Sequence, residues 1–211
     1  MGPNDFEVIL WDFDGVIIDS NSVREFGFRE VLKEFDPEQV EQLIDFHNAN
    51  GGWSRYVKFR YFYEEILKRT ISESKVQELA SSFSSIMVKR LPNSELLIEE
   101  TVRFIQEMHL QGKQMHIVSG SDGKELISLC EQLELSKYFL TINGSPTPKS
   151  ALVKAIIDNG NVSTSQYCLI GDAVNDYDAA NQNEIQFFGY NNKQLAKYGN
   201  YINDFNSIQK R

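Results

Sequence analysis

Two aspartates separated by one residue directly follow an apolar stretch near the start of the chain. Residues 8–11 predict a buried strand, and Asp12, Asp14 and Gly15 come after it. Because side chains alternate along an extended chain, both carboxylates should point one way and Phe13 should point into the core. Adjacent carboxylates repel each other unless a cation is bound or one of them stays protonated. The spacing therefore predicts a divalent metal site with oxygen ligands. The alternative is an acidic turn in which Gly15 only supplies the bend.

A hydroxyl and a glycine end a second predicted strand. Ser119 can donate a hydrogen bond to an anion, and Gly120 leaves its backbone N–H accessible. A helix start follows, and the free N–H groups of a helix start favour negative charge. These residues therefore indicate a phosphate-binding turn. The alternative is that Ser121 or Asp122 only caps the helix, with Glu125 completing a capping box.

A lysine and a second pair of aspartates occupy two further strand–helix junctions. Lys149 stands at a predicted helix start, where a bound anion would explain it because cations favour helix C-termini. Otherwise it is one of 21 basic residues that are solvated. Gly171 and Asp172 end another apolar strand, and Asp176 lies one helical turn later. In the alternative interpretation, Asp172 or Asn175 caps the next helix.

All four stretches fall where a predicted strand passes into a helix. In a parallel sheet the carboxyl ends of the strands share one edge, and open α/β sheets bind ligands there. That edge would gather two carboxylate pairs, a hydroxyl and an ammonium group. Together these groups can hold a divalent ion and a phosphate.

The elements that must position these residues alternate between strand and helix after residue 90. The apolar patterns predict strands at 114–118, 139–142, 167–170, 185–189 and near 201–202, and helices at 95–110, 123–133, 150–159, 175–181 and 194–198. This alternation predicts an α/β fold, a Rossmann-like parallel sheet covered by helices.

Residues 20–90 show only helical patterns, over 23–35, from Pro37 with Asp36 as its cap, over 55–69 and over 76–87. A crossover between parallel strands needs only about a dozen residues, so the excess predicts an inserted all-helical cap domain. The expected division is an α/β core of residues 1–19 and 91–211 and a cap of residues 20–90. The cap would lie beside the acidic strand end, where it can exclude water.

Composition excludes several classes of partner. A net charge of −9 and a pI near 4.9 argue against nucleic acid and against anionic membrane surfaces. No apolar run reaches the roughly 20 residues of a membrane span. The N-terminal stretch lacks the pattern of a signal peptide, and Cys130 and Cys168 lie in apolar patterns typical of buried reduced thiols. We therefore expect a cytoplasmic protein, either a monomer or a homodimer.

The order of these stretches resembles the haloacid dehalogenase-like (HAD) hydrolase superfamily. Its four motifs are similar, in order, to Asp12-Phe13-Asp14-Gly15-Val16 with Asp19, Ser119, Lys149, and Gly171-Asp172 through Asp176. The helical insertion resembles the type-1 cap of the phosphoglycolate phosphatase and β-phosphoglucomutase branch. The resemblance implies a Mg²⁺-dependent phosphatase that acts on a small phosphorylated molecule.

The resemblance also implies roles for single residues. Asp12 would be the nucleophile that forms an aspartyl-phosphate, and Asp14 would protonate the leaving alcohol and then activate water. Mg²⁺ would be held by the Asp12 side chain, the Asp14 backbone carbonyl and Asp172. Dehalogenases of this superfamily lack the second aspartate, so its presence here argues against dehalogenation.

The remaining motif residues would bind the phosphoryl group or support those that do. Ser119, Gly120 and Lys149 would hold the phosphoryl oxygens, and Lys149 would also assist the reaction by neutralising charge. Asp176 would orient waters or Lys149 from behind the metal ligands.

Substrate specificity is expected to come from basic residues of the cap. Arg24 lies near its first hinge, and Arg55 and Lys58 are neighbours on one helix face. They could bind a second acidic group, or hydroxyls, on a phosphorylated acid or a sugar phosphate. The alternative is that these bases are solvated or pair with Glu64 and Glu65.

Three competing functions remain open. A β-phosphoglucomutase-like enzyme usually carries a histidine in the first cap helix, and residues 21–30 contain none, so a hydrolase is favoured. Phosphonate hydrolases of this branch form an imine with a cap lysine, for which Lys33 or Lys58 would be available. A non-catalytic or signalling phospho-acceptor is the third alternative.

Overall fold

The sheet consists of six parallel strands in the order β3-β2-β1-β4-β5-β6. A computed structural model describes residues 2–208. The strands are β1 (Val8–Trp11), β2 (Gln114–Asp122), β3 (Thr141–Ser145), β4 (Tyr167–Gly171), β5 (Gln186–Tyr190) and β6 (Asn200–Ile202). The predicted α/β class with a Rossmann-like parallel sheet is confirmed.

Strand β1 lies in the middle of the sheet, with β2 on one side and β4 on the other. Its register places Val8 opposite Gln114 and Tyr167. Alternate side chains enter two separate apolar clusters, Ile9 and Trp11 on one face and Val8 and Leu10 on the other. This burial on both faces explains the uninterrupted apolar run of the sequence.

Helices cover both faces of the sheet. They are α5 (Glu99–Leu110), α6 (Gly123–Gln132), α7 (Lys149–Asn159) and α8 (Val174–Gln182). The cluster on one face includes Phe104 of α5 and Leu126 of α6. The cluster on the other face includes Val153 of α7 and Ala179 of α8. Helices packed on both faces of the sheet therefore hold the strand–helix junctions at its carboxyl edge in place.

Four α-helices lie between β1 and helix α5. They are α1 (Asn21–Val31), α2 (Pro37–Ala49), α3 (Arg55–Tyr61) and α4 (Glu73–Arg90). Helix α1 packs on α2 and α4, and α3 packs on α4, around the rings of Phe28, Phe59 and Phe83. We call residues 20–90 the cap. Its boundaries with the core stay a prediction.

Three cap helices differ from the predicted ranges, and one of them, α4, spans Glu73–Arg90 rather than 76–87. The first ends at Val31, because Phe35 leaves the helix to pack against the rings of Phe62 and Tyr63. The helix predicted over 55–69 is α-helical only to Tyr61 and continues as a π-helical turn, Phe62–Ile66.

Three core elements also begin or end elsewhere than predicted. Helix α5 starts at Glu99 rather than residue 95, because Leu97 forms a β-bridge with Ile18 and Ile98 N donates to Ile17 O. Strand β3 lies about two residues later than predicted, and β2 runs on to Asp122. Within residues 2–208, no helix has the length and apolar character required to cross a membrane.

Candidate active site

Asp12 stands at the carboxyl end of the central strand and is 2% exposed. Its backbone N donates to Ile170 O at 2.9 Å, which extends the pairing with β4 by one residue. Its Oδ1 accepts from Phe13 N at 2.8 Å and lies 2.9 Å from Lys149 Nζ. Phe13 is fully buried, as the alternation predicts. These contacts hold the Asp12 carboxylate in place, with its Oδ1 atom next to the ammonium of Lys149.

Lys149 is the first residue of α7, and its ammonium lies between two carboxylates. Besides Asp12, it donates to Asp176 Oδ1, whose other oxygen accepts from Ala173 N at 3.0 Å. Burial disfavours the charged lysine, but the Asp12 and Asp176 carboxylates outweigh it and raise the pKa of Lys149. Lys149 is buried, so the alternative of a solvated surface lysine is wrong.

Three carboxylates from different junctions form one cluster. Asp12, Asp172 and Asp176 each contribute an oxygen, and these oxygens lie within 4.8 Å of one another. Gly15 has φ +74°, and a Cβ on it would lie 2.1 Å from Asp172 Oδ2, so only glycine allows this approach. Asp176 thus belongs to the carboxylate cluster itself as well as holding Lys149. Neither Asp172 nor Asn175 caps α8, whose N-cap is Ala173.

The electrostatics of this cluster favour a bound cation. Burial, reinforced by the Asp176 carboxylate, raises the pKa of Asp12 to about 7. Burial and the Asp12 charge raise the pKa of Asp172 well above its ordinary value. Asp12 and Asp176 share the ammonium of Lys149, Asp172 lies beside them, and each of the three offers a carboxylate oxygen as a metal ligand. This donor set suits a hard divalent cation.

The side chain of Asp14 has different partners from that cluster. Ser121 Oγ donates to Oδ2 at 2.6 Å, Arg24 Nε donates to Oδ1 at 2.7 Å, and Ser20 Oγ also donates to Oδ1. Burial opposes ionisation of Asp14, but the Arg24 guanidinium and these hydrogen bonds outweigh it and lower the pKa to about 2. In this arrangement Asp14 is ionised and paired with an arginine of the cap.

Ser119 and Gly120 lie at the same edge of the sheet. Ser119 is buried, and its Oγ accepts from Ser121 N at 3.1 Å. A Cβ on Gly120 would lie 2.2 Å from Gly52 O, which belongs to the cap loop between α2 and α3. Only glycine at position 120 therefore allows this loop to come so close to the sheet edge. Asp122 caps α6, with its Oδ1 accepting from Lys124 N and Glu125 N. The capping interpretation is thus right for Asp122, but it does not displace Ser119 from the site.

Arg55 and Lys58 of the cap are buried over this edge. Arg55 forms a two-pronged ion pair with Glu125 of α6, and its guanidinium carbon lies 4.7 Å from the Phe83 ring centroid. Lys58 Nζ lies 2.7 Å from His47 Nδ1 and donates to Gly51 O at 3.1 Å. The alternative that they are solvated or pair with Glu64 and Glu65 is wrong for both residues.

A cavity of about 30 Å³ separates these cap residues from the aspartates. Its charged and polar lining includes Asp12, Asp14, Arg24, His47, Arg55 and Lys58. This cavity is narrow, and a larger open cavity of about 560 Å³ beside it borders Asp14, Arg24, His47 and Asp172. Burial lowers the pKa of Lys58 to about 7, with Arg24 the largest charged contributor, and lowers the pKa of His47 to about 2.

Sequence reasoning missed His47 and Glu125. His47 shares the apolar face of α2 with Val40 and Leu43. A titratable residue among the apolar residues of one helix face is the sequence feature that could have indicated a role in the site. Glu125 was interpreted as part of a capping box, but its carboxylate pairs with arginines of the cap instead. No local sequence pattern predicts that pairing, because Arg55 and Glu125 are 70 residues apart in the chain.

Comparison with known proteins gives a family and a fold. A family model described as "Haloacid dehalogenase-like hydrolase" matches residues 9–190. A phosphoglycolate phosphatase of Vibrio parahaemolyticus is 23% identical over 216 residues, covering 90% of this chain and 85% of the relative. A second, from Colwellia psychrerythraea, is 21% identical over 208 residues, covering 94% and 89%.

Two solved structures are similar over nearly their whole length. A predicted phosphoglycolate phosphatase from Haemophilus somnus has a TM-score of 0.75 at 16% identity, covering 97% of this chain and 96% of that one. A β-phosphoglucomutase from Clostridium difficile also has a TM-score of 0.75, at 19% identity, covering 97% and 93%. At these identities the likeness shows a common fold.

Proposed function

Because the chain belongs to the haloacid dehalogenase-like hydrolase family, we propose that it hydrolyses a small phosphate monoester through an aspartyl-phosphate. The proposal rests on one group of neighbouring side chains at the carboxyl edge of the sheet. Asp12 and Asp176 share Lys149, Asp172 lies beside them, and Asp14 and Ser119 line the neighbouring cavity. Phosphoryl transfer needs positioning and charge neutralisation, and this group of side chains is suited to both.

In the first step an Asp12 oxygen attacks phosphorus, and the bond from phosphorus to the leaving oxygen breaks. Lys149 offsets the charge of the approaching phosphate, and Ser119 with the Gly120 N–H would bind its other oxygens. Asp14 then gives a proton to the leaving oxygen. In the second step Asp14 takes a proton from the water that attacks the aspartyl-phosphate, which releases inorganic phosphate and restores Asp12.

Mg²⁺ fits the donor set of the cluster. Asp12, Asp172 and the Asp14 backbone carbonyl would hold the ion, with Asp176 supporting them and fixing Lys149. When bound, it would neutralise phosphate charge that the single ammonium cannot offset alone. The same ion would remove the conflict between buried like charges that raises the pKa of Asp12 and Asp172.

The position of Arg24 supports a substrate class. Arg24 holds Asp14 ionised, so the guanidinium must find another anion before Asp14 can carry a proton. A second anionic group on the substrate would supply that partner, and the narrow cavity beneath Arg55 and Lys58 favours a small one. The names of the two sequence relatives agree with a small phosphorylated acid. We therefore propose phosphoglycolate, or an acid of similar size, as the first substrate to test.

The test is phosphate release by the purified protein with Mg²⁺ from a panel of esters. The panel contains phosphoglycolate, ethyl phosphate, which has the same chain length without the carboxylate, and several sugar phosphates. Hydrolysis that EDTA and Asp12→Asn abolish, and that the exposed-site control Asp45→Asn retains, supports the proposal. Absence of phosphate release from every ester contradicts it. Isomerisation of a sugar phosphate that needs added bisphosphate would indicate the mutase instead.

One observation favours a second candidate function. Lys58 lines the cavity, and its pKa of about 7 leaves a share of the amine neutral near neutral pH. A neutral amine can form an imine with a carbonyl, as the phosphonate hydrolases of this branch do with a cap lysine. Lys33, by contrast, is exposed and pairs with Glu30. A carbonyl phosphonate in the panel tests this, since borohydride would trap an adduct on Lys58.

The cellular setting is part of the same proposal. Cys130 and Cys168 are free and buried, which agrees with a reduced cytoplasmic location. Whether the protein acts as a monomer or a homodimer stays a prediction that sedimentation would check.

A further inference from the structure

A buried glutamate of the core joins two arginines of the cap. Glu125 belongs to α6, Arg24 to α1 and Arg55 to α3, and all three are at most 7% exposed. Glu125 Oε2 accepts from Arg55 Nη1 at 2.7 Å, and Oε1 accepts from Arg55 Nη2 at 2.9 Å. Oε1 also lies 3.3 Å from Arg24 Nη1. One carboxylate therefore sets the positions of two guanidinium groups.

The Arg24 guanidinium is held from two directions. Its Nε donates to Asp14 and its Nη1 donates to Glu125, which leaves Nη2 as the remaining nitrogen. This Nη2 is buried, and within residues 2–208 no group accepts a hydrogen bond from it. Arg24 lines the cavity over the aspartates. A charged donor thus borders the space that a leaving group would occupy.

His47 offers a second donor to the same cavity. When Lys58 donates to Nδ1, the ring hydrogen resides on Nε2. The buried Nε2 has no partner in the described part of the chain, and His47 also lines the cavity. Buried donors of this kind are rarely left without acceptors. Two free donors beside Lys58 suit a group with two anionic oxygens, such as a carboxylate.

We infer that Glu125 is a positioning residue for substrate specificity: it fixes Arg24 and Arg55 so that Arg24 Nη2 can bind a carboxylate on the leaving group. This inference rests on the proposed function. Glu125 is not among the residues that line the cavity over the aspartates, so it acts through the arginines. Its role is to keep the guanidinium aligned after the substrate carboxylate replaces Asp14 as the partner of Arg24.

Glu125→Gln tests the inference, because glutamine keeps the shape but not the charge. The substrates are phosphoglycolate and ethyl phosphate, which differ only in the carboxylate. We expect the KM for phosphoglycolate to rise about 10-fold or more, as expected for losing the alignment of a charged hydrogen bond. The KM for ethyl phosphate should stay close to that of the unsubstituted protein. Glu125→Asp, which retains the charge, should restore part of the loss.

The control is Glu131→Gln, which removes the same charge from an exposed position of the same helix. It should leave both KM values unchanged. A merely structural role of Glu125 would lower the melting temperature and affect both substrates equally. Equal changes in the two KM values therefore overturn the inference.

The unsubstituted protein gives an independent check if Glu125→Gln does not fold. Its kcat/KM should favour phosphoglycolate over ethyl phosphate, and Arg24→Lys should reduce that preference because lysine lacks the forked donors. Equal hydrolysis of both esters contradicts the inference alone. Absence of phosphate release from the whole panel contradicts the proposed function instead.

Discussion

Gly52→Ala should prevent the cap from closing correctly. Gly52 lies in the loop between α2 and α3, and its carbonyl accepts from Asn175 Nδ2 of α8 at 2.8 Å. A Cβ on Gly52 would lie 1.9 Å from Asn175 Oδ1, and its next two neighbours are also atoms of the Asn175 amide. The substitution therefore places a methyl group against one identifiable side chain.

The size of the effect follows from the distances. Carbon atoms of this kind essentially never approach within 3.0 Å, so the loop or Asn175 must move by about 1 Å. The loop cannot move toward Gly120, because Gly52 O already packs closely against that glycine. Either the Asn175 amide rotates away and loses its hydrogen bond to Gly52 O, or the loop moves away from the core and takes the cap side of the cavity with it. A misplacement of about 1 Å can cost about 100-fold in rate, so we expect kcat/KM to fall by about 10- to 100-fold.

The assay is initial-rate phosphate release, with the melting temperature as a check on folding. Asn175→Ala alone removes one hydrogen bond, worth about 1 kcal/mol, and should cost no more than about 10-fold. Combined with Gly52→Ala, it removes the clashing atoms and should recover most of the lost rate. Gly51→Ala is the matched control, since its Cβ would meet only Ala173 Cβ, at 3.9 Å.

Two results would refute this reasoning. The first is a Gly52→Ala protein as active as the unsubstituted one, which would mean that closure tolerates the displacement. The second is a double variant no better than Gly52→Ala, which would mean that the lost rate has another origin than the contact with Asn175.

Three further predictions concern the carboxylate cluster. Asp12→Asn should reduce phosphate release at least about 1,000-fold while the protein stays folded, as kinetics and circular dichroism would show together. Lys149→Met should lower the free energy of unfolding in EDTA by about 3–5 kcal/mol, because Asp12 and Asp176 lose the ammonium that pairs with both, and urea titration would measure it. Without divalent ions, the contribution of Asp12 to the free energy of unfolding should fall as pH rises from about 4 to about 7. The folded-state pKa of Asp12 is about 7 against 3.8 for an ordinary aspartate, so the folded protein holds a proton that the unfolded chain has lost, and the stability from that proton disappears as pH approaches 7. His47, whose pKa burial lowers to about 2, contributes the opposite slope below about pH 6.5 in every variant. The difference in melting temperature between the unsubstituted protein and Asp12→Asn should therefore shift with pH against the unsubstituted protein, and a difference that is constant across this range contradicts the prediction.

The residues that converge at the sheet edge could be predicted because topology brings them together. Apolar runs locate the strands, parallel strands place their carboxyl ends on one edge, and Asp12, Lys149 and Asp172 stand directly after such runs or at a helix start. No side-chain detail was needed for that step. The carboxylate cluster and the turn for which we propose phosphate binding follow from the same geometry.

The cap contacts could not be predicted in this way. Glu125 and Arg55 meet only because α3 folds over α6, and neither local periodicity nor charge spacing encodes that crossing. His47 looks like an ordinary member of a helix face until Lys58 is seen beside it. The early end of α1 has the same origin, since the tertiary packing of Phe35 overrides its local helical pattern.

The contact between the loop around Gly52 and Gly120 has a consequence for which phosphates can react. The cavity between Asp14 and Lys58 is too narrow for a phosphorylated side chain of a folded protein while Gly52 O packs on Gly120. If the reaction requires the cap in this position, phosphates carried by macromolecules would reach the edge of the sheet without being hydrolysed. Such a requirement would make selection by size part of the reaction step.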